Sequence, residues 1–141
     1  MNKLAKWYEA MKSKNLEELD NLLADDVVFC SPVVFTPQKG KEITKMYLMA
    51  AGGVFGENQN KDKSSDDIDG KSKFRNIKEI TDEKSALLEF ELEMDGIYVN
   101  GIDLISWNED GKIKEIKVMV RPLQAVNMLH QKMQAMLESM N

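Results

Sequence analysis

Apolar residues recur every three or four positions over the first third of the chain. Leu4, Trp7, Tyr8 and Met11 stand at i, i+3, i+4 and i+7, which is one face of an N-terminal helix. Asn15 followed by Glu18 makes a capping-box-like start to a second helix carrying Leu16, Leu19, Leu22 and Leu23, and Asp25-Asp26 closes it. Val27, Val28 and Phe29 then read as a short strand ending at Ser31-Pro32. After a loop punctuated by Pro and Gly, Lys41 to about Phe55 reads as a third helix. Its inward side holds Ile43, Met46, Tyr47 and Ala50 or Ala51, and Gly52, Gly53 and Gly56 are expected to terminate it.

The period then changes. Residues 57–67, ENQNKDKSSDD, are polar and turn-rich, the expected mobile loop, and strands are expected from Ile68 onward. Ala86, Leu88, Phe90, Leu92 and Met94 alternate with Glu89, Glu91 and Glu93, as a half-buried strand requires. Asp95-Gly96 signals a hairpin into 97–107, and Asp110-Gly111 another into 112–121. Arg121-Pro122 returns the chain to helix, with Val126, Leu129, Met133 and Leu137 on one stripe. Helices early and strands late make an α+β protein of one domain, 1–141. A bent antiparallel sheet wrapped on N-terminal helices, with a C-terminal helix, would enclose a conical space.

Charge and composition narrow the function. A net charge of −5 with scattered lysines argues against nucleic acid, which demands a basic face. One cysteine and one histidine among 141 residues cannot assemble the usual metal-ligand sets, so no metal and no cofactor are expected. Cys30 is expected to point away from the conical space, His130 to be solvated, and the ten methionines to serve as pliable core filler or interface. SSDDIDG is reminiscent of a calcium loop, yet the closing bidentate acid is missing, Asn76 standing in its place. No stretch approaches a membrane span and the N-terminus lacks a signal peptide's apolar core, so the cytoplasm is the expected location and no membrane the expected partner.

One residue breaks the pattern. Asp103 sits between Ile102 and Leu104 inside a strand that is otherwise apolar, on the face shared by Gly101, Ile105 and Trp107. An unpaired charge there would cost several kcal/mol, so the carboxyl should be partnered, protonated or both. The functional reading is a pocket acid with a raised pKa; the structural one is a buried acid satisfied by Trp7, Tyr8 or Tyr47, or an interface carboxylate paired with a lysine. On the opposite face, Ile102, Leu104 and Met119 are apolar as well. Sheets apolar on both faces are usually covered on both, which predicts a homodimer through the outer face.

The succession of Trp7, LEELDNLLADDVVFCSP, GKEITKMYL and GIDLISWNEDGKIKEIKVMVRPL resembles the SnoaL-like branch of the nuclear transport factor two-like superfamily over nearly the whole chain. That resemblance implies a cystatin-like cone with an internal pocket, usually dimeric, used for isomerisation, cyclisation, dehydration, epoxide hydrolysis or plain binding. Ketosteroid isomerases hold a strand aspartic acid neutral to donate to an oxyanion, eight residues before the glycine of an acidic turn; Asp103 and Gly111 are similar. The isomerase's helix tyrosine falls at Trp7, a supporting tyrosine is matched by Tyr47, and the general base falls at Ser31. A hydroxyl with no activating histidine is no base at neutral pH. Where the superfamily's epoxide hydrolases carry an arginine, this chain has Gly101.

The expected site therefore has Asp103 as its acid, with Trp7, Phe29, Ser31, Tyr47, Phe55, Ile105 and Trp107 around a small, mostly apolar molecule. The competing expectation is a non-catalytic binding or dimerisation module whose pocket is vestigial, filled by aromatic side chains.

Overall fold

The computed structural model describes residues 3–59 and 74–139, the side chains of 53–59 excepted. The expected start of the sheet at Ile68, the calcium-like SSDDIDG stretch and most of the polar loop lie outside those residues. Helix α1 (Lys3–Ser13) and α2 (Leu16–Leu22) lead into strand β1 (Leu23–Cys30), the two-residue β2 (Gln38–Lys39) and α3 (Lys41–Gln59). Four long strands follow, β3 (Arg75–Thr81), β4 (Ser85–Met94), β5 (Ile97–Trp107) and β6 (Ile113–Arg121), and then α4 (Leu123–Ser139). They form one curled six-stranded sheet in the order β2-β1-β6-β5-β4-β3, which stays open at both edges.

Local chemistry accounts for most boundaries. The side chain of Asn15 accepts from the amides of Glu17 and Glu18 at 2.9 and 3.1 Å, capping α2. Asp95 and Gly96 both adopt positive φ, as a two-residue hairpin turn of the primed kind demands. At the next turn Asn108 accepts from the amides of Asp110 and Lys112, and Gly111 takes φ +79°. Pro122 precedes α4 instead of opening it, its carbonyl accepting from Ala125 and Val126.

Two boundaries differ from expectation. Leu23 is the first residue of β1, not the last of α2, and Asp25-Asp26 sit exposed inside the strand, where its register on β6 shifts. A bulge admits the two charges by bending the strand, so they do not have to end a helix. Helix α3 runs past Gly52, Gly53 and Gly56 to Gln59. Each glycine weakens a helix by only about 1 kcal/mol, which packing of α3 on β1 and α4 outweighs.

The meander β3–β6 is antiparallel, as its hairpins require, but β1 joins β6 in parallel. Consequently the first strand and the last lie side by side, and α3 crosses between them on the concave side. Burial along β4 alternates strictly, with Ala86, Leu88, Phe90, Leu92 and Met94 inward. Two apolar clusters fill the two ends of the concave face. Trp7, Leu19, Val27, Ile105, Trp107 and Ile113 belong to one, and Phe90, Leu92, Val99, Ala125 and Leu129 to the other.

Candidate functional site

Between the clusters lies a cavity of about 480 Å³, and Asp103 lines it. Strand register explains the placement. On β5 the inward positions are Gly101, Asp103, Ile105 and Trp107; Asp103 stands opposite Leu88 of β4 and Val118 of β6, and all three side chains face the hollow. Helix α1 supplies Trp7, Tyr8 and Met11, α3 supplies Leu48, and α4 supplies Leu129 and Met133. Most of the wall is apolar.

Asp103 is surrounded by protein, and the surface it keeps belongs to the cavity it lines. No hydrogen bond or ion pair engages its carboxyl among the described residues. Loss of hydration therefore acts unopposed, and burial pushes its pKa from 3.8 up to about 7. Near neutral pH the group divides between a donor acid and an acceptor carboxylate, a property ordinary surface aspartates lack.

None of the three partners considered for this acid bonds to its carboxyl among the described residues. Tyr8 donates its hydroxyl to Glu79 Oε1 at 3.0 Å. Burial first, then that bond and the Glu79 charge, push the phenol up to about 12, with Asp103 a smaller contributor. The influence runs one way because Tyr8 is still neutral when Asp103 titrates. Tyr47 stacks on Phe29, ring centroids 5.3 Å apart. Trp7 is buried and forms part of the wall.

Of the residues expected around the site, Trp7, Phe29 and Ser31 line the cavity with Asp103. Ser31 Oγ accepts from the amides of Val33 and Val34 at 3.0 and 3.4 Å, so its hydroxyl also shapes the turn before β2. Tyr47, Ile105 and Trp107 do not line it among the described residues. Ile105 and Trp107 do face inward, but at the end of the cone where packing is complete. Ile105 is sealed between Ala86 and Ile116, and Trp107 pairs with Ile113, with the Lys3 ammonium 5.0 Å from its ring centroid. Tyr47 lies behind Phe29, one layer out. Phe55 falls on the last turns of α3, whose side chains lie outside the described residues. Cys30 is half-buried and is not part of the wall.

Sequence reasoning missed part of the lining. Leu88, Phe90, Val118 and Val120 were inward by alternation, and register on Asp103 and Gly101 would have placed them beside the acid. Phe90 owes its position to Gly101: a Cβ there would stand 2.5 Å from the Phe90 ring and 2.8 Å from the Met119 carbonyl. The position taken by arginine in the epoxide hydrolases is thus filled here by a phenylalanine ring from the neighbouring strand. Lys12 and Lys14 were missed as well. Among the described residues no group of three or more His, Cys, Asp and Glu is placed to hold a metal ion. No described helix is long and apolar enough to cross a membrane.

No protein-family model and no curated protein matches the sequence. Solved structures do match. A steroid delta-isomerase from Pseudomonas aeruginosa is 29% identical, with TM-score 0.80 over 97% of this chain and 90% of that one. A protein with a cystatin-like fold from Silicibacter pomeroyi is 26% identical, with TM-score 0.76 over 94% and 83%. An NTF2-like protein of unknown function from Cytophaga hutchinsonii, 14% identical with TM-score 0.58 over 87% and 90%, shares the fold alone.

Proposed function

Because the chain belongs to the SnoaL-like, nuclear transport factor two-like superfamily, we propose that it binds a small, mostly apolar molecule in the cone, with Asp103 as its polar anchor. The observation that carries this reading is a carboxyl without a partner among the described residues, poised near pH 7, on the wall of an apolar cavity. Protonated, it donates to a carbonyl or hydroxyl oxygen of the ligand. In a site stripped of water, one such bond separates a ligand bearing the acceptor from one lacking it by about 1 kcal/mol or more.

The chemistry open to such a site is general-acid assistance of an isomerisation, cyclisation or hydrolysis, worth about 10²–10⁴-fold. A relative that is a steroid delta-isomerase supports that direction. A non-catalytic binding role has an observation in its favour as well. Asp103 is the one carboxylate lining the cavity among the described residues, and the expected base position holds Ser31. The same proposal includes a homodimer, through the outer sheet face at Ile102, Leu104 and Met119.

Calorimetric titration with an apolar aryl ketone, 2-acetonaphthone, tests the anchor. Affinity is expected to fall about tenfold as the acid loses its proton, between pH 6 and pH 9. Asp103→Leu should remove that pH dependence. A pH-independent affinity, or one unchanged in Asp103→Leu, would eliminate Asp103 as the anchor. Absence of ketone binding at both pH values would eliminate the ligand-binding reading itself.

A further inference from the structure

The charged groups on the cavity wall are not all acids. Lys12, in the last turn of α1, and Lys14, just past its end, line it alongside Asp103. Three lysines elsewhere are held by carboxylates: Lys41 and Lys45 by Asp20, and Lys132 by Asp95. Lys12 and Lys14 are in no ion pair among the described residues, and both are exposed.

Backbone geometry fixes where the second of them stands. Lys14 takes φ 56°, the left-handed conformation that ends a helix, and its amide donates to the Ala10 carbonyl at 2.9 Å. Glycine or asparagine is the usual occupant of that position, so a lysine there holds a backbone shape its side chain does not favour. The side chain extends towards α3, where its Cε lies 4.0 Å from the position of a Cβ on Gly52. Two ammonium groups, unpaired among the described residues, thus border an apolar hollow in a chain of net charge −5.

We propose that the cavity takes an amphipathic organic anion, a carboxylate or sulfonate on an apolar body, with the anionic group held by Lys12 and Lys14. This rests on the ligand-binding reading above and names the class of ligand for the same site. Tyr8 and Asp103 both line the cavity. The helical rise carries Lys12 about 6 Å beyond Tyr8 along α1, and Lys14 follows just past the helix end. That distance suits an apolar body of two fused rings or a chain of comparable length, lying against Phe29, Leu88, Phe90 and Val118. The anion end then meets the lysines and stays away from the acid, whose charge would repel it. Both lysines are exposed, so the attraction to the anion is one that added salt screens.

Two dyes that differ by one sulfonate provide the test. 1-Anilinonaphthalene-8-sulfonate and its neutral parent N-phenyl-1-naphthylamine share the apolar body, and both report binding by fluorescence. In the full chain, Lys12→Ala/Lys14→Ala is expected to lower the affinity for the sulfonate about tenfold. Affinity for the neutral dye should hold, which also reports that the variant keeps its fold. Added salt should weaken the sulfonate in the wild type and have little effect in the double variant. Lys114→Ala, exposed on β6, should change neither dye. Neutral-dye binding with a sulfonate affinity indifferent to Lys12 and Lys14 would overturn the anion proposal and leave the cavity reading standing. Failure of the wild type to bind either dye would overturn both.

Discussion

Asp103 has Leu88 on one side and Val118 on the other, and among the described residues no hydrogen bond offsets the hydration it loses on ionising. In the unfolded chain this carboxyl releases its proton near 3.8; in the folded protein it does so at about 7. Between those values the folded state holds a proton that the unfolded state has given up. Stability is therefore full below about pH 4, falls as pH rises towards 7, and is level above. Asp103→Asn has no such proton. Compared with the wild type it should be more stable at pH 8 by about 2–4 kcal/mol, a range set below the full shift because the carboxyl retains contact with the cavity. Near pH 4 the two should coincide. Urea denaturation at both pH values measures the difference, and parallel profiles would mean that the carboxyl is hydrated. Tyr8, pushed up to about 12 chiefly by burial, remains a neutral donor to Glu79 throughout and links α1 to β3.

At the scale of elements, β4 and β5 make the deep wall together. The ring of Phe90 lies across Gly101 and stacks on Phe74, centroids 5.2 Å apart, and both rings line the hollow. Gly101→Ala would force the ring and the β6 backbone apart. A loss of about 1–3 kcal/mol is expected from such overpacking, read by chemical denaturation. A change under a few tenths of a kcal/mol would mean that the ring has another place to go. The period of the sequence was enough to find these strands, their hairpin turns and the inward identity of each residue. It was not enough for the ends of α2 and α3. There an exposed Asp25-Asp26 pair and three glycines carry strong local signals, which bulging of β1 and packing of α3 override.

At the scale of the molecule, the two faces of the sheet differ less than a solvated sheet should. On the outer face Ile80, Leu87 and Leu104 stand side by side across β3, β4 and β5, and Ile102 stands beside Met119. Ile80 is 58% exposed and Met119 50%. The same face farther along is polar and internally satisfied. Arg75 and Tyr98 both hold Glu91, while Asn100 donates to Glu89 and to the Phe90 carbonyl and accepts from Arg121. The proposed homodimer would use the apolar part. Sedimentation at micromolar concentration should give twice the chain mass for the wild type and a single chain for Leu104→Glu. A wild-type monomer would remove the dimer without touching the cavity.

What the sequence determined by itself was local: which residues share a face, where the strands turn, and that a carboxyl faces inward among apolar neighbours. Those properties follow from repeats of 2.0 and 3.6 residues and from turn chemistry, all confined to a few adjacent positions. Only the tertiary structure decided which inward residues touch the hollow. Ile105 and Trp107 lie on the correct face yet are sealed in the core, whereas Tyr8, Lys12 and Lys14 reach the cavity from a helix about ninety residues away from Asp103. A cavity is the space left where distant elements fail to fill one another's surfaces. Its outline depends on the parallel pairing of β1 with β6 and on the crossing of α3, neither of which is written in any short stretch of the chain.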